Sequence, residues 1–437
     1  MSSGYRKWVI FGAAVGAYAV GIMHRSSLGV AGLEAAEHFG TTPSIVSTFV
    51  VLQLLTYALG QLPAGVMLDR IGPRIMLTFG SLVMVAGQLT LAFTDVLGLA
   101  FVARFFVGLG DACIYVSILT IIARWFPSRM VPLMSQMAGM LSVLGQLMAI
   151  YGLLPAIQRF GWQPGLTAAA ALGVVMAATV FTVVRNAPPG AEVEQPTEKI
   201  SQLHRGLWQV LKHPGTQLAF SIHFTSGFAM NAFVFMWGLP YLQVGQGLSQ
   251  STASALFTLI TVSGLFIGPV IGILTGRHPL RRSNLALTVI WAGFLGWAVV
   301  LALPGPAPLW LLVLLVLALA AGGPATAVGF YYPRTLLPPT RLGVANGIVI
   351  SGAFLGATLT ILLIGTILEF LSGGAATYTF GQFRIAMAVQ LPLYAVGLAA
   401  IYITRMRLRR RMRAEGVIVP PWPEAISREI RKRRRGR

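Results

Sequence analysis

Apolar runs close to twenty residues long recur along this chain from about residue 8 to residue 404, broken by short polar stretches. About twenty apolar residues in a helix cross the hydrocarbon core of a bilayer. The pattern therefore predicts membrane-spanning helices rather than the short alternating strands of a barrel. Twelve runs stand at roughly 8–32, 44–67, 75–94, 97–122, 131–156, 165–185, 216–241, 251–274, 284–303, 308–331, 342–369 and 383–404. The one long polar interruption, Asn186–Gly215, falls between the sixth and seventh and holds Pro188, Pro189, Glu192, Glu194, Pro196, Glu198 and Lys199. The expected fold is an all-α membrane protein, with twelve transmembrane helices in two six-helix halves. Its parts are a first half over 1–186, a linker over 187–215, a second half over 216–405 and a basic tail over 406–437. Within the linker, Leu203, Leu207, Val210 and Leu211 fall at helical spacing beside Arg205 and Lys212. That spacing predicts a short amphipathic helix lying along the cytoplasmic surface.

Composition agrees. Of 437 residues, 56% are hydrophobic and only 10% charged, against about 25% charged in soluble domains. The mean hydropathy is +0.75. One cysteine, Cys113, excludes a disulfide and a thiolate metal site. The run after Arg6 and Lys7 is too long for a signal segment and is read as a retained span. With the N-terminus placed inside, all but four of the 32 Lys and Arg residues fall in cytoplasmic segments. The exceptions are Arg159 and Arg384 outside, and Arg25 and Arg104 within helices. This bias predicts cytoplasmic termini and a place in the cell (inner) membrane. The tail carries basic clusters at Arg405–Arg413 and Arg428–Arg437, which suit anionic lipid headgroups. Trp422 is the lone aromatic among them, so nucleic acid is not the expected partner.

Charges inside the spans are few. Arg104 and Asp111 lie seven residues apart in the fourth run, about two helical turns, so they share one face at roughly 10 Å. Intramembrane charges are costly and face a bundle interior or a water-filled path. On this reading Asp111 is the one carboxylate so placed. Arg25 stands in the first run beside His24, Ser26 and Ser27. Arg25 and Asp111 could be a buried pair holding two helices together, or part of a working site. A histidine can titrate near neutral pH, so His24 could carry a proton, or could serve as a structural polar group. His223, among Thr225, Ser226 and Asn231 on the seventh run, could bond at a helix interface or touch a substrate. The second half has no charge well inside its spans; its polar and aromatic candidates are His223, Asn231, Trp237, Tyr241, Asn346, Ser351, Gln390 and Tyr394.

Between the second and third runs stands Gly65–Val–Met–Leu–Asp69–Arg70–Ile–Gly72–Pro73–Arg74. Gly65 permits close helix contact, Gly72–Pro73 makes a sharp turn, and Asp69 can meet a helix N-terminus or an arginine. This loop resembles the signature loop of the major facilitator superfamily, and with the twelve runs the resemblance covers about residues 8–405. It implies a major facilitator fold, with Gly65, Asp69, Arg70, Gly72 and Arg74 forming a latch that closes the cytoplasmic side. The corresponding place in the second half, Gly272–Ile–Leu–Thr–Gly276–Arg277–His278–Pro279–Leu–Arg281–Arg282, resembles a degenerate copy with Gly276 where the aspartate would be.

Arg25 with Arg104–Asp111 resembles the anion:cation symporter branch, which moves organic anions with protons. The resemblance implies substrate binding by Arg25 and Arg104 and proton coupling by Asp111. His24 departs from it, because several members carry an acidic proton site there, and could substitute as a proton-coupling group. His223, Asn231 and Asn346, from the polar lining of the second half, are the expected further substrate contacts. Arg104 equally fits the general R-x-x-x-G motif of the fourth helix. The fifth run lacks the Gly–Pro–x–x–Gly–Gly ending of drug:proton antiporters. The second and eighth offer Gln53, Tyr57, Gln61, Thr258, Thr261 and Ser263 where nitrate carriers have arginines. No nucleotide-binding loop, metal cluster or catalytic triad is legible. The expected function is proton-coupled uptake of a small organic anion by alternating access, with no cofactor and no enzymatic activity. A proton-driven exporter of drugs or metabolites is the alternative, and a non-transporting receptor or scaffold a third class.

Overall fold

The computed structural model describes residues 3–41, 43–190, 203–277, 281–373 and 378–416. Among these residues every regular element is helical. Eleven helices are long and apolar enough to cross a membrane. One of them, Thr48–Phe93, has 46 residues, more than twice the roughly 20 that one crossing needs. It reverses at Gly72, where φ is 80° and ψ is 163°. A side chain at that position would also run into the Asn186 amide, so the turn requires glycine twice over. The 46-residue helix is therefore two spans, which gives twelve. Numbered in chain order, span 1 is Tyr5–Val30, spans 2 and 3 are the two arms of Thr48–Phe93, and span 4 is Leu97–Trp125. Span 5 is Val131–Phe160, span 6 Trp162–Val183, span 7 Pro214–Gly245 and span 8 Gln250–Arg277. Spans 9 to 12 are Arg282–Ala302, Leu309–Leu336, Pro339–Ser372 and Phe380–Ala414.

Spans 5 and 7 are not uniform α-helices. A π-helical turn, Ala149–Leu153, precedes Pro155, and two more, Phe233–Trp237 and Tyr241–Gly245, flank Pro240. Proline removes a backbone donor and crowds the preceding turn, and a widened turn absorbs the mismatch.

Each half has its own core. That of the second half is built on fully buried Trp297, Phe228, Tyr241 and Phe383. The first half packs around Ile10, Phe11, Met84 and Ile118, with a further cluster around Leu28, Phe49 and Leu91. A mixed cluster joins them: Tyr57, Leu68, Met76 and Val116 on one side meet Ala219, Phe330, Val349 and Ile350 on the other.

The halves meet most intimately at the end that carries the 69–74 loop. There spans 2 and 11 touch backbone to backbone. A Cβ on Gly65 would collide with the Gly343 carbonyl, and one on Gly347 with the Gln61 carbonyl. Small residues are what permit such an approach between membrane helices. Further bonds cross between the halves: Tyr331 Oη donates to the Pro132 carbonyl at 3.3 Å, and Arg334 Nη2 to the Ala123 carbonyl at 3.3 Å. Gln136 Nε2 donates to the Pro324 carbonyl at 2.8 Å.

The linker helix forms over Leu203–Lys212. Its apolar face is covered by protein. Leu207, Val210 and Leu211 pack on Leu62 and Val66 of span 2 and on Val344, Ala345 and Ile348 of span 11. Arg341 fastens the helix by donating to the Gly206 carbonyl at 3.3 Å and to Gln209 Oε1 at 2.6 Å. Residues 191–202 of the linker, His278–Leu280 of the second loop, and 417–437 of the basic tail lie outside the described residues.

Candidate functional site

Span 1 brings Arg25 to the middle of the molecule, and span 4 brings Asp111 to meet it. Arg25 Nε donates to Asp111 Oδ2 at 2.5 Å and Nη2 to Oδ1 at 2.8 Å, a bidentate pair in which both carboxylate oxygens are matched. The Asp111 side chain is 1% exposed and that of Arg25 15%. The guanidinium lies over the Tyr57 ring at 4.9 Å, and Tyr57 packs on Phe354 of span 11 at 4.5 Å. The pair therefore sits at the junction of the halves, with the cation as its accessible member.

Arg104 shares the helix with Asp111 but not its surroundings. It is fully buried, and its partners are neutral. Nη2 donates to Ser27 Oγ at 2.8 Å, and Nη1 donates to Gln53 Oε1 at 3.1 Å and to the His24 carbonyl at 3.3 Å. Its Nε has no hydrogen-bond partner. Placement on one helical face did not bring the two charges together, because span 1 lies between two different sets of neighbours. Arg104 ties spans 1, 2 and 4 into one unit and presents no open donor to a ligand path.

His24 also turns away from the pair. Its Nε2 lies 2.9 Å from the Ala169 carbonyl on span 6, so that nitrogen carries the hydrogen. One residue along a helix is about 100° of rotation, which is why Arg25 faces Asp111 and His24 does not. His223 is held within the second half: the Ala353 amide donates to its Nδ1 at 3.2 Å, and its ring meets Phe330 at 5.2 Å. Asn346 lines a small cleft with Tyr331 and Arg334, and Asn231 is half-buried on span 7. None of these three joins Arg25. Four other expected lining residues are core: Trp237 donates to the Ile361 carbonyl at 3.1 Å, Tyr241 accepts from Gln246 at 2.8 Å, and Tyr394 and Gln390 are buried.

Sequence patterning singles out neither Tyr18 nor Gln146. Tyr18 stacks on Tyr115 at 5.3 Å. Its spacing of seven from Arg25, two turns along one helix face, is the signal that could have found it. Ser26 Oγ donates to Gln146 Oε1 at 2.6 Å, tying span 1 to span 5.

At the loop end, Asp69 caps span 11 across the two halves. Its Oδ1 accepts from the Gly343 amide at 2.6 Å and its Oδ2 from the Val344 amide at 3.0 Å. The first amides of a helix lack intrahelical partners and carry partial positive charge, so a carboxylate is the natural closure. Arg74 instead holds the loop to its own half, through its amide to Asn186 Oδ1 at 3.0 Å and its Nε to the Phe181 carbonyl at 2.8 Å. Arg70 lies beside Asp69, half-buried. At the degenerate copy, Gly272 and Gly276 pack on Pro132 and on the Arg129 carbonyl, contact without a carboxylate.

Between the halves lies a cavity of about 310 Å³, walled by spans 5, 7, 8 and 10 with Tyr115 of span 4.

A family model described as the Major Facilitator Superfamily matches residues 11–292 and 219–435. A probable anion transporter of Oryza sativa subsp. japonica (chloroplastic) is 25% identical over 422 residues, 90% of this chain and 75% of that protein. A probable L-galactonate transporter of Escherichia coli (strain K12) is 25% identical over 279 residues, 59% of each. Among solved structures, a bacterial homologue of the iron transporter ferroportin, in an outward-facing state, superposes with a TM-score of 0.72. That structure is 13% identical, and the match covers 92% of this chain and 99% of that one.

Proposed function

This chain belongs to the Major Facilitator Superfamily, and on that footing we propose that it takes up a small organic anion in step with protons by alternating access. The observation that carries the proposal is the Arg25–Asp111 pair. With Asp111 ionised, its two charge-assisted bonds occupy the Arg25 guanidinium. A proton on Asp111 cancels the attraction and frees Arg25, whose accessible position at the junction suits a substrate carboxylate. Anion and proton then bind together and leave together, because each state keeps one negative partner for Arg25. Names of relatives support an anionic cargo: one is a probable anion transporter and another a probable L-galactonate transporter.

In this scheme Asp69 is the latch: capping span 11 holds one end shut while the other admits substrate. Arginine bias supports assigning that end to the cytoplasm, with both termini there and the basic tail against anionic lipid of the cell membrane. Arg104 serves as a positioning residue that fixes span 1 against span 4, and the chain divides functionally at the linker.

The test is accumulation of labelled organic acids in proteoliposomes under an imposed proton gradient. Asp111→Asn is expected to equilibrate substrate without concentrating it. Uphill accumulation by that variant would remove Asp111 from the coupling role.

A further inference from the structure

We propose that the cargo is an amphipathic monocarboxylate, an acid with one charged head and an apolar aliphatic or aromatic body, rather than a polyhydroxylated sugar acid. The inference rests on Arg25 as the anion site and concerns what lies beyond it. The cavity of about 310 Å³ is lined chiefly by apolar side chains, among them Met140, Val143, Met230, Phe257, Ile260 and Leu265. Such a volume is that of a small-ligand pocket. Three of its polar side chains are already engaged. Ser142 Oγ donates to the Gly139 carbonyl at 2.6 Å, Thr326 Oγ1 to the Gly323 carbonyl at 2.6 Å, and Gln136 Nε2 to the Pro324 carbonyl at 2.8 Å. A sugar acid brought here would bury several hydroxyls against carbon, and buried hydroxyls need partners.

Charge decides how many carboxylates the cargo carries. Among the described residues, no Lys, Arg, His, Asp or Glu lines this cavity. Arg104 is sealed among Ser27, Gln53 and the His24 carbonyl. Arg25 is thus the one intramembrane arginine of the first half open to a ligand, and a second carboxylate would stand uncompensated in an apolar chamber.

Geometry joins head site to body site. Tyr115 in the cavity wall stacks on Tyr18 at 5.3 Å, and Tyr18 lies two helical turns from Arg25 on the same face of span 1. Two wall positions give a way to fill it: a Cβ at Gly139 on span 5, or at Gly264 on span 8, would meet nothing within 4 Å.

The experiment measures binding to the purified full-length protein in nanodiscs, with hexanoate and benzoate set against galactonate, glucarate and neutral 1-hexanol. Hexanoate and benzoate are expected to bind at least tenfold tighter than either sugar acid and to lose that binding in Arg25→Ala. Gly264→Leu, which fills open space, is expected to weaken hexanoate at least tenfold while leaving the melting temperature of the ligand-free protein unchanged. Ile260→Ser, which removes apolar wall, should weaken hexanoate in the same sense. Tighter, Arg25-dependent binding of galactonate or glucarate overturns the monocarboxylate assignment and leaves the anion reading standing. Hexanol binding as well as hexanoate, with no effect of Arg25→Ala, overturns the anion reading as well, as does failure of every acid to bind.

Discussion

Two arginines of the first half are buried in the same bundle, and their neighbours make them opposites. Arg104 is balanced by dipoles from three directions: a serine hydroxyl, a glutamine carbonyl and a main-chain carbonyl. None of these can lose or gain a proton in the physiological range, so that arrangement has one state. Arg25 is balanced by a single carboxylate, which a proton can neutralise, so that arrangement has two. Dispersed neutral acceptors make a charge into a rivet, and one titratable partner makes it into a switch. Burial separates the two roles further, because Arg104 is fully enclosed whereas Arg25 keeps 15% of its side chain exposed.

That contrast can be broken by mutation. The largest effect is expected for Arg25→Ala. Loss of the anion's charged partner costs about 3 kcal/mol, or roughly a hundredfold in Kd, by the usual worth of a buried charge pair; titration of purified protein with organic acids measures it. Arg104→Met comes next and strikes stability instead. It strips donors from Ser27, Gln53 and the His24 carbonyl, which costs about 2 kcal/mol and is read as a lowered melting temperature. The folded fraction should bind anion nearly as well as the parent, and a binding loss matching that of Arg25→Ala would erase the distinction. Asp69→Asn removes the charge from the cap on span 11, worth about 1 kcal/mol. Alkylation of a cysteine placed at fully buried Ala345 should then quicken by roughly fivefold. The smallest effect is expected for His24→Gln. A neutral donor to the Ala169 carbonyl is kept, so stability should fall by no more than about 1 kcal/mol and the pH profile of transport should not move. A displaced profile would return His24 to the proton path.

Much of this architecture was legible from hydropathy alone, because a bilayer demands long apolar helices wherever the chain crosses. Arg25 with Asp111 was legible as well, since two opposite charges in a membrane interior have strong reason to meet. Arg104 was legible as a costly residue but not as a rivet, because serine, glutamine and a backbone carbonyl carry no sequence pattern that marks them as its partners. Asp69 could be seen to want a helix N-terminus. Which helix it would be depended on tertiary contact with residues 274 and 275 positions away. Trp237, Tyr241, Gln390 and Tyr394 were read as lining because amphipathic side chains suit a wet path. All four are buried; for Trp237 and Tyr241 the reason is that tryptophan and tyrosine also bury well once a carbonyl or amide is within reach.

The linker helix has a thermal consequence. Its apolar face rests on spans 2 and 11 together, so parting the halves at that end must peel it from at least one and wet the surface beneath. Newly wetted apolar surface raises heat capacity. Any opening at that end would therefore bend with temperature, with cold weakening the seal that warmth strengthens.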